Sequence, residues 1–139
     1  MEIKTYSTLP KEAADIRIAV FVDEQGFQEE FDEADKTCVH LVAFDGDIAI
    51  GTCRYHLYND QGRYLIGRIA VSRTHRGQGI GGMLVTEAEQ QIKALGGTGA
   101  HIGAQVRAMP FYASLGYVPV GDRYMDEHVE HQGMEKELV

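Results

Sequence analysis

The sequence predicts a mixed α/β fold: a mostly antiparallel sheet of six to seven strands with about four helices on its faces. Three observations carry this. Strand and helix periodicities alternate along the chain, three strands follow one another as a meander ahead of a long helix, and a glycine-rich turn joins the meander to that helix. At 139 residues, 44% apolar and 24% charged, with no repeat or linker, residues 1–139 read as a single domain around one core.

Residues 2–7 alternate Ile3 and Thr5 with Lys4 and Tyr6 and read as the first strand. Pro10 opens a helix, where its missing N–H costs nothing. Ala13, Ile16 and Val20, with Arg17 and Phe21 beside them, keep helical spacing through about Val22. Residues 23–35 hold seven acids around Gln25-Gly26-Phe27, an expected loop or short irregular helix. Residues 39–44 form a strand, Asp45-Gly46 a tight hairpin turn and residues 48–58 the returning strand. Asn59-Asp60-Gln61-Gly62 turns the chain into a third strand over residues 64–71. After the glycines, Ile80, Leu84, Ala88, Ile92 and Leu95 recur every three or four positions until Gly96-Gly97 stops them, which predicts a long amphipathic helix. A short strand (101–104), a short helix (108–115) ended by Gly116 and two last strands (117–124 and 129–138) complete the order. The final strand alternates poorly and is expected at a sheet edge.

A net charge of −8 argues against nucleic acid and against an anionic membrane surface as partners. No apolar run approaches the roughly 20 residues that cross a bilayer. Residues 1–4 lack the basic-then-apolar order of a secretory signal, and Cys38 and Cys53 have no close partner spacing, so a reducing cytoplasm is expected. His128 and His131, three apart on an expected strand, face opposite sides and make no metal site. Against the acidic total, no acid lies between Asp60 and Glu87, where Arg63, Arg68, Arg73 and Arg76 fall together with His75. A basic window of that kind suggests a bound anion.

The turn Arg76-Gly77-Gln78-Gly79-Ile80-Gly81 between strand and helix suits such an anion. Glycines let the backbone approach a ligand, and free N–H groups at a helix start favour phosphate. Gly77, Gly79 and Gly82 formally satisfy the dinucleotide pattern G-x-G-x-x-G. Their place after an antiparallel meander, and the lack of an acid ending the next strand near Ile102, speak against that fold. No Gly-Lys-Ser/Thr occurs, which excludes a Walker-type loop.

Ile69-Ala70-Val71 followed by Arg76-x-x-Gly79-x-Gly81 resembles the acetyl-CoA-binding signature of the GNAT acetyltransferase superfamily. Ala108-Met109-Pro110-Phe111-Tyr112-Ala113-Ser114-Leu115-Gly116-Tyr117 resembles a second stretch of that family, at the right distance behind. Residues 17–40 look like those of small bacterial GNAT proteins and, faintly, of acyl-homoserine-lactone synthases. The resemblance implies the GNAT fold and an N-acetyltransferase with acetyl-CoA as co-substrate, no metal, and a small-molecule or peptide amine as acceptor. Backbone groups of Ile69, Ala70 and Val71 would meet the pantetheine arm and thioester. The N–H groups of Arg76, Gly77, Gln78, Gly79, Ile80, Gly81 and Gly82 would hold the pyrophosphate, with Arg73 and His75 close by. Gln105 stands where the family often has an asparagine, and Tyr112 where a tyrosine protonates the departing thiolate. The strand over residues 64–71 lacks the carboxylate base of some relatives. Paired subunits, common in the family, lead us to expect a homodimer through the edge of the last strand.

An alkyl amine of pKa about 10.4 must lose its proton before it attacks a thioester. Glu24, Asp35 and His40 are the candidate acceptors, directly or through water. The Val71 N–H is expected to donate to the tetrahedral oxyanion. For Tyr112, proton donation and aromatic packing beside Phe111 are both open. A non-catalytic acyl-CoA-binding module is the alternative reading of the same cradle. In proteins resembling this one, residues 23–35 line the acceptor side, so their acids are expected to draw in a cationic amine.

Overall fold

A computed structural model describes residues 1–139. Its strands are β1 (Glu2–Tyr6), β2 (Val39–Asp45), β3 (Ile48–Leu57), β4 (Arg63–Val71), β5 (Gly99–Gln105), β6 (Val118–Pro119), β7 (Tyr124–Asp126) and β8 (Val129–Glu137). The helices are α1 (Lys11–Arg17), α2 (Ile80–Ala94) and α3 (Met109–Ser114), with tight 3-10 turns at Glu33–Lys36, Arg73–His75 and Val106–Ala108. The strand order is β1-β2-β3-β4-β5-β8-β6, with β7 also on β8. Mixed, mostly antiparallel pairing is thus as the sequence predicts, and the strand count rises to eight because residues 117–124 yield two short strands instead of one. Gly121, at φ +71, lies between them.

The residues divide into two compact units. The first comprises Met1–His56 and Ile66–Ala88. In it β1 and β2 pair antiparallel from Glu2↔Phe44 to Tyr6↔His40, and β2 pairs with β3 from Val39↔Tyr55 onward. Helix α1 lays Ala13 against Val42 and Phe44, and Ile16 and Val20 pack on Ala70. The expected helix to Val22 changes winding at Ile18, and Ile18–Glu24 runs on as a wider π-type turn. Such turns recur where a helix must re-aim its side chains. The start of α2 is brought down on β3 by a missing side chain. A Cβ at Gly51 would stand 3.0 Å from both Ile80 Cγ2 and Leu84 Cδ1.

The second unit comprises Leu57–Leu65 and Glu89–Val139. Here β4 and β5 pair in parallel for three residues, ending at Leu65↔His101, while β5 pairs antiparallel with β8 from Gly99↔Glu137 to Gln105↔His131. Because β8 has β5 on one side and β6 and β7 on the other, it is an interior strand. The expected edge at residues 129–138 is therefore corrected. Poor alternation there reflects burial of four consecutive residues, His131, Gln132, Gly133 and Met134. The strands with a single partner, and so the edges of the sheet, are β1, β6 and β7.

Candidate active site

Strand β4 ends at Val71, and the Ser72 N–H donates to the Ile50 carbonyl at 2.8 Å. The chain then turns through Arg73–His75 into the glycines. Gly77 and Gly79 sit at φ +77 and +80, a region that costs an L side chain energy, and a Cβ on either would meet nothing within 4 Å. The backbone is therefore open on that side. The Met83 N–H makes the first helical bond, to the Gly79 carbonyl at 3.1 Å, so the N–H groups of Ile80, Gly81 and Gly82 precede the ladder. No acid occupies the first turn of α2. Such a turn has the free N–H groups and open backbone that can hold an anion of phosphate type.

Two arginines next to it in the chain share one carboxylate. The Arg76 Nε–H donates to the Val71 carbonyl at 3.0 Å, and its Nη2 lies 2.8 Å from Glu24 Oε1, which Arg73 Nη2 also approaches at 3.7 Å. His75 pairs with Asp45 at 3.1 Å. The other two arginines of the basic window are engaged elsewhere: Arg63 with Glu135 and Glu137, Arg68 with Glu30 and Asp32. All four arginines of the window thus pair with acids, and only Arg73 and Arg76 do so next to the glycine turn.

Beneath the surface of the first unit lies a cluster that sequence reasoning missed. Arg17, itself buried on the apolar face of α1, donates to Glu30 Oε1 at 2.7 Å and to Asp35 Oδ1 at 2.7 Å. Arg54 of β3 donates to Asp32 Oδ1 at 2.6 Å and to Asp35 Oδ1 at 2.8 Å, and its buried Nε has no hydrogen-bond partner. Arg68, at φ +50 within β4, reaches the Glu30 carbonyl through Nη2 at 3.2 Å. Burial opposes the charge on Asp35, yet the hydrogen bonds from Arg17 and Arg54 outweigh it and hold this carboxyl well below its usual range. The Arg54 hydrogen bond likewise lowers Asp32, whereas burial raises Glu30 against the pull of Arg17. His40 is 1% exposed, its Nε2 lies 3.0 Å from the Asp35 carbonyl, and burial lowers its pKa. The available signal was a lone arginine on an apolar helix face, which demands a buried partner.

Five of the seven acids over residues 23–35 consequently carry a basic partner: Glu24, Glu30, Asp32, Glu33 and Asp35. Those pairs offset part of the negative charge of the stretch. No three His, Cys, Asp or Glu side chains converge as a metal-binding group.

The model of the acetyltransferase (GNAT) domain matches residues 7–138. The chain belongs to the GNAT family. A Bacillus subtilis protein named as the uncharacterized N-acetyltransferase YjcF is 32% identical over 130 residues, covering 91% of each chain. The crystal structure of an acyl-CoA N-acyltransferase from Pseudomonas aeruginosa is 27% identical, with a TM-score of 0.84 over 97% of this chain and 98% of that one. An aminoglycoside 6'-N-acetyltransferase solved with coenzyme A, at 16% identity and a TM-score of 0.81 over 100% of this chain and 98% of that one, shares the GNAT fold.

Within that GNAT frame the expected site residues separate into groups. Ile69, Ala70 and Val71 close β4, with Ala70 buried and the Val71 carbonyl taken by Arg76. Glu24 joins Arg73 and Arg76 beside the cradle, whereas Asp35 and His40 join each other in the buried cluster. In the second unit Gln105 accepts from Arg107 Nε at 3.0 Å. Tyr112, on α3, is buried with its ring 5.0 Å from that of Phe111 and 6.3 Å from that of Tyr117.

Proposed function

We propose that this chain transfers an acetyl group from acetyl-CoA to a primary amine of a small molecule or peptide by direct attack. The carrying observation is the open turn at the start of α2, with Gly77 and Gly79 in the left-handed region and Arg73 and Arg76, just before it in the chain, on Glu24. There the N–H groups from Arg76 through Gly82 bind the pyrophosphate, and the backbone of Ile69, Ala70 and Val71 lies along the pantetheine arm. Gln105 offers a side-chain amide to the same ligand.

Of the three candidate bases we favour Glu24. Asp35 is clamped between two guanidinium groups and His40 is sealed inside, so both serve the frame, whereas the Glu24 side chain is 21% exposed. Pyrophosphate competes with Glu24 for Arg73 and Arg76; binding of the donor then frees the carboxylate to take the amine's proton, directly or through water. The neutral nitrogen attacks the thioester carbonyl, and the Val71 N–H steadies the oxyanion. As the tetrahedral centre collapses the C–S bond breaks, and the Tyr112 hydroxyl supplies the proton of the leaving thiol.

A reducing cytoplasm suits the two free thiols, Cys38 and Cys53, both buried, with burial alone pushing Cys53 up to about 12. Association of two copies would use the β1, β6 or β7 edge, which sedimentation reads.

Calorimetry with acetyl-CoA is the first test, followed by CoA release over a panel of amines. Absence of binding overturns the proposal, and binding without turnover of any amine reduces the chain to an acyl-CoA-binding module. Tyr112→Phe is expected to lower kcat by about 100-fold with donor affinity nearly unchanged. Equal turnover by that variant would return Tyr112 to packing.

A further inference from the structure

Tyr112 cannot be aimed by its own helix. The six residues of α3, Met109–Ser114, are too few to hold a shape alone, so the groups that fix the Tyr112 ring lie outside it. The end of α3 supplies the backbone part. The N–H groups of Leu115 and Tyr117 both donate to the Tyr112 carbonyl, at 3.0 and 3.1 Å, and Gly116 makes this turn at φ +98.

The ring has two aromatic neighbours of unequal firmness. Phe111 is 39% exposed and can yield, whereas Tyr117 is 2% exposed and meets Tyr112 edge to face, with centroids 6.3 Å apart and planes 73° apart. Tyr117 is fixed at its far end in turn. Its hydroxyl donates to Glu89 Oε2 at 2.8 Å, the Lys136 ammonium donates to Glu89 Oε1 at 3.0 Å, and the same ammonium lies 5.7 Å from the centre of the Tyr117 ring. Tyr112, Tyr117, Glu89 and Lys136 all belong to the second unit.

Glu89 is the unexpected member of this set. It lies on α2 among the buried Val85, Ala88 and Ile92, and is itself buried. A carboxylate there pays for desolvation, and its pairing with Lys136 does not explain it, because an apolar side chain of similar volume fills such a place as well or better. What an apolar side chain cannot do is accept the Tyr117 hydroxyl and so fix the tilt of that ring. The carboxylate therefore serves Tyr117, and Lys136 serves the carboxylate.

We propose that Tyr117 and Glu89 are positioning residues for Tyr112: the Glu89 carboxylate, balanced by Lys136, anchors Tyr117, and Tyr117 holds the Tyr112 ring in the orientation from which its hydroxyl gives its proton to the leaving thiolate. The inference rests on the proton-donor reading of Tyr112 and extends it to two residues that act only through it. In that step the Tyr112 O–H bond breaks as the S–H bond forms, and the phenolate regains a proton from water. Proton transfer of this kind falls steeply with misalignment, so a small turn of the Tyr112 ring is felt in kcat.

The test is a double-mutant cycle read by steady-state kinetics of acetyl transfer. Tyr117→Phe, which keeps the ring and loses the hydroxyl, is expected to lower kcat about five- to twentyfold with the KM for acetyl-CoA unaltered. Glu89→Leu should fall as far. Glu89→Gln, whose amide oxygen still accepts from Tyr117 while Lys136 turns to water, should keep most of the parent's turnover. In the Tyr112→Phe background Tyr117→Phe should change nothing further, because the group that it aims is gone. An equal loss in both backgrounds would make Tyr117 a structural residue and overturn the inference. Parental turnover by Tyr117→Phe, or a Glu89→Gln variant as slow as Tyr117→Phe, would overturn it too, and these two variants decide the matter even if Glu89→Leu does not fold. Tyr112→Phe turning over like the parent would instead strike the proton-donor reading itself, and the positioning with it.

Discussion

Arg17, Arg54 and Arg68 meet Glu30, Asp32 and Asp35 in the interior of the first unit, while Arg73 and Arg76 meet Glu24 beside the open glycine turn. The same two kinds of side chain make both sets. In the interior set Arg17 is 1% and Arg54 4% exposed, so losing a partner leaves a charge that water cannot reach. At the turn Arg73 and Arg76 are 76% and 42% exposed, and an incoming anion can take over from Glu24 at small cost. Burial thus makes one set a fixture of the fold and leaves the other exchangeable, and exchange is what a phosphate site needs.

The comparison breaks most visibly if the interior set is cut. Asp35→Ala strands both Arg17 and Arg54 and should cost about 3–5 kcal/mol, read as a lower urea midpoint. A loss near that of a surface pair would show that water enters the cluster. Next in size is Gly79→Val, which forces a β-branched side chain into φ +80 and places its methyls over the open cradle. Calorimetry should find acetyl-CoA affinity down by at least about tenfold, with the fold kept; unchanged affinity would move the phosphate site elsewhere.

Acidification sharpens the contrast in two stages. Burial places the folded pKa of His40 below its unfolded value of about 6.5, so its contribution is full above that pH and is lost as pH falls through the folded pKa. Asp32 and Asp35, also lowered in the folded state, are protonated later, and their contribution is lost below about pH 4. Glu30, raised by burial, has the opposite sign and offsets part of this second loss. Urea midpoints at about pH 7.5, 5.5 and 3.5 should therefore fall in that order; a midpoint that rises on acidification contradicts the burial of both His40 and the clamped carboxylates. The smallest effect belongs to the exposed set. Glu24→Gln removes the competitor for Arg73 and Arg76 and should tighten acetyl-CoA by roughly two- to fivefold at low salt, with little change in stability. A turnover that falls in the same variant supports Glu24 as base, and an affinity that falls instead would show that Glu24 helps to order the arginines.

Much of this contrast was legible before the structure, and the unread part has a pattern. The cradle was readable because Arg76, Gly77, Gly79 and Ile80 are neighbours whose backbone conformations depend on one another. The arginine pairs of the buried cluster are 13 to 38 positions apart in the chain, and no local rule joins Arg17 to Glu30 or Arg68 to the Glu30 carbonyl. Residues 23–35 accordingly looked like an open acidic surface, and Asp35 and His40 like free acceptors of a proton. The stacking of Tyr58 on His101 was hidden for the same reason, since Tyr58 follows β3 and His101 lies on β5, and the facing of Gly103 by Gly133 exists only in the β5–β8 register.

By itself the sequence determined the alternation of elements, the meander, the positive-φ turn ahead of α2 and the placement of Tyr112 on a short helix. Each is set by steric limits and periodicities that act within a few residues. Only the tertiary structure decided that β8 lies inside the sheet, that three arginines pair with Glu30, Asp32 and Asp35, and that Glu24 alone among the candidate bases pairs with the arginines next to the glycine turn. Those outcomes depend on which distant groups packing brings together. A charge inside a protein must find its partner wherever the core places one, and the choice minimises the free energy of the whole chain rather than of any segment.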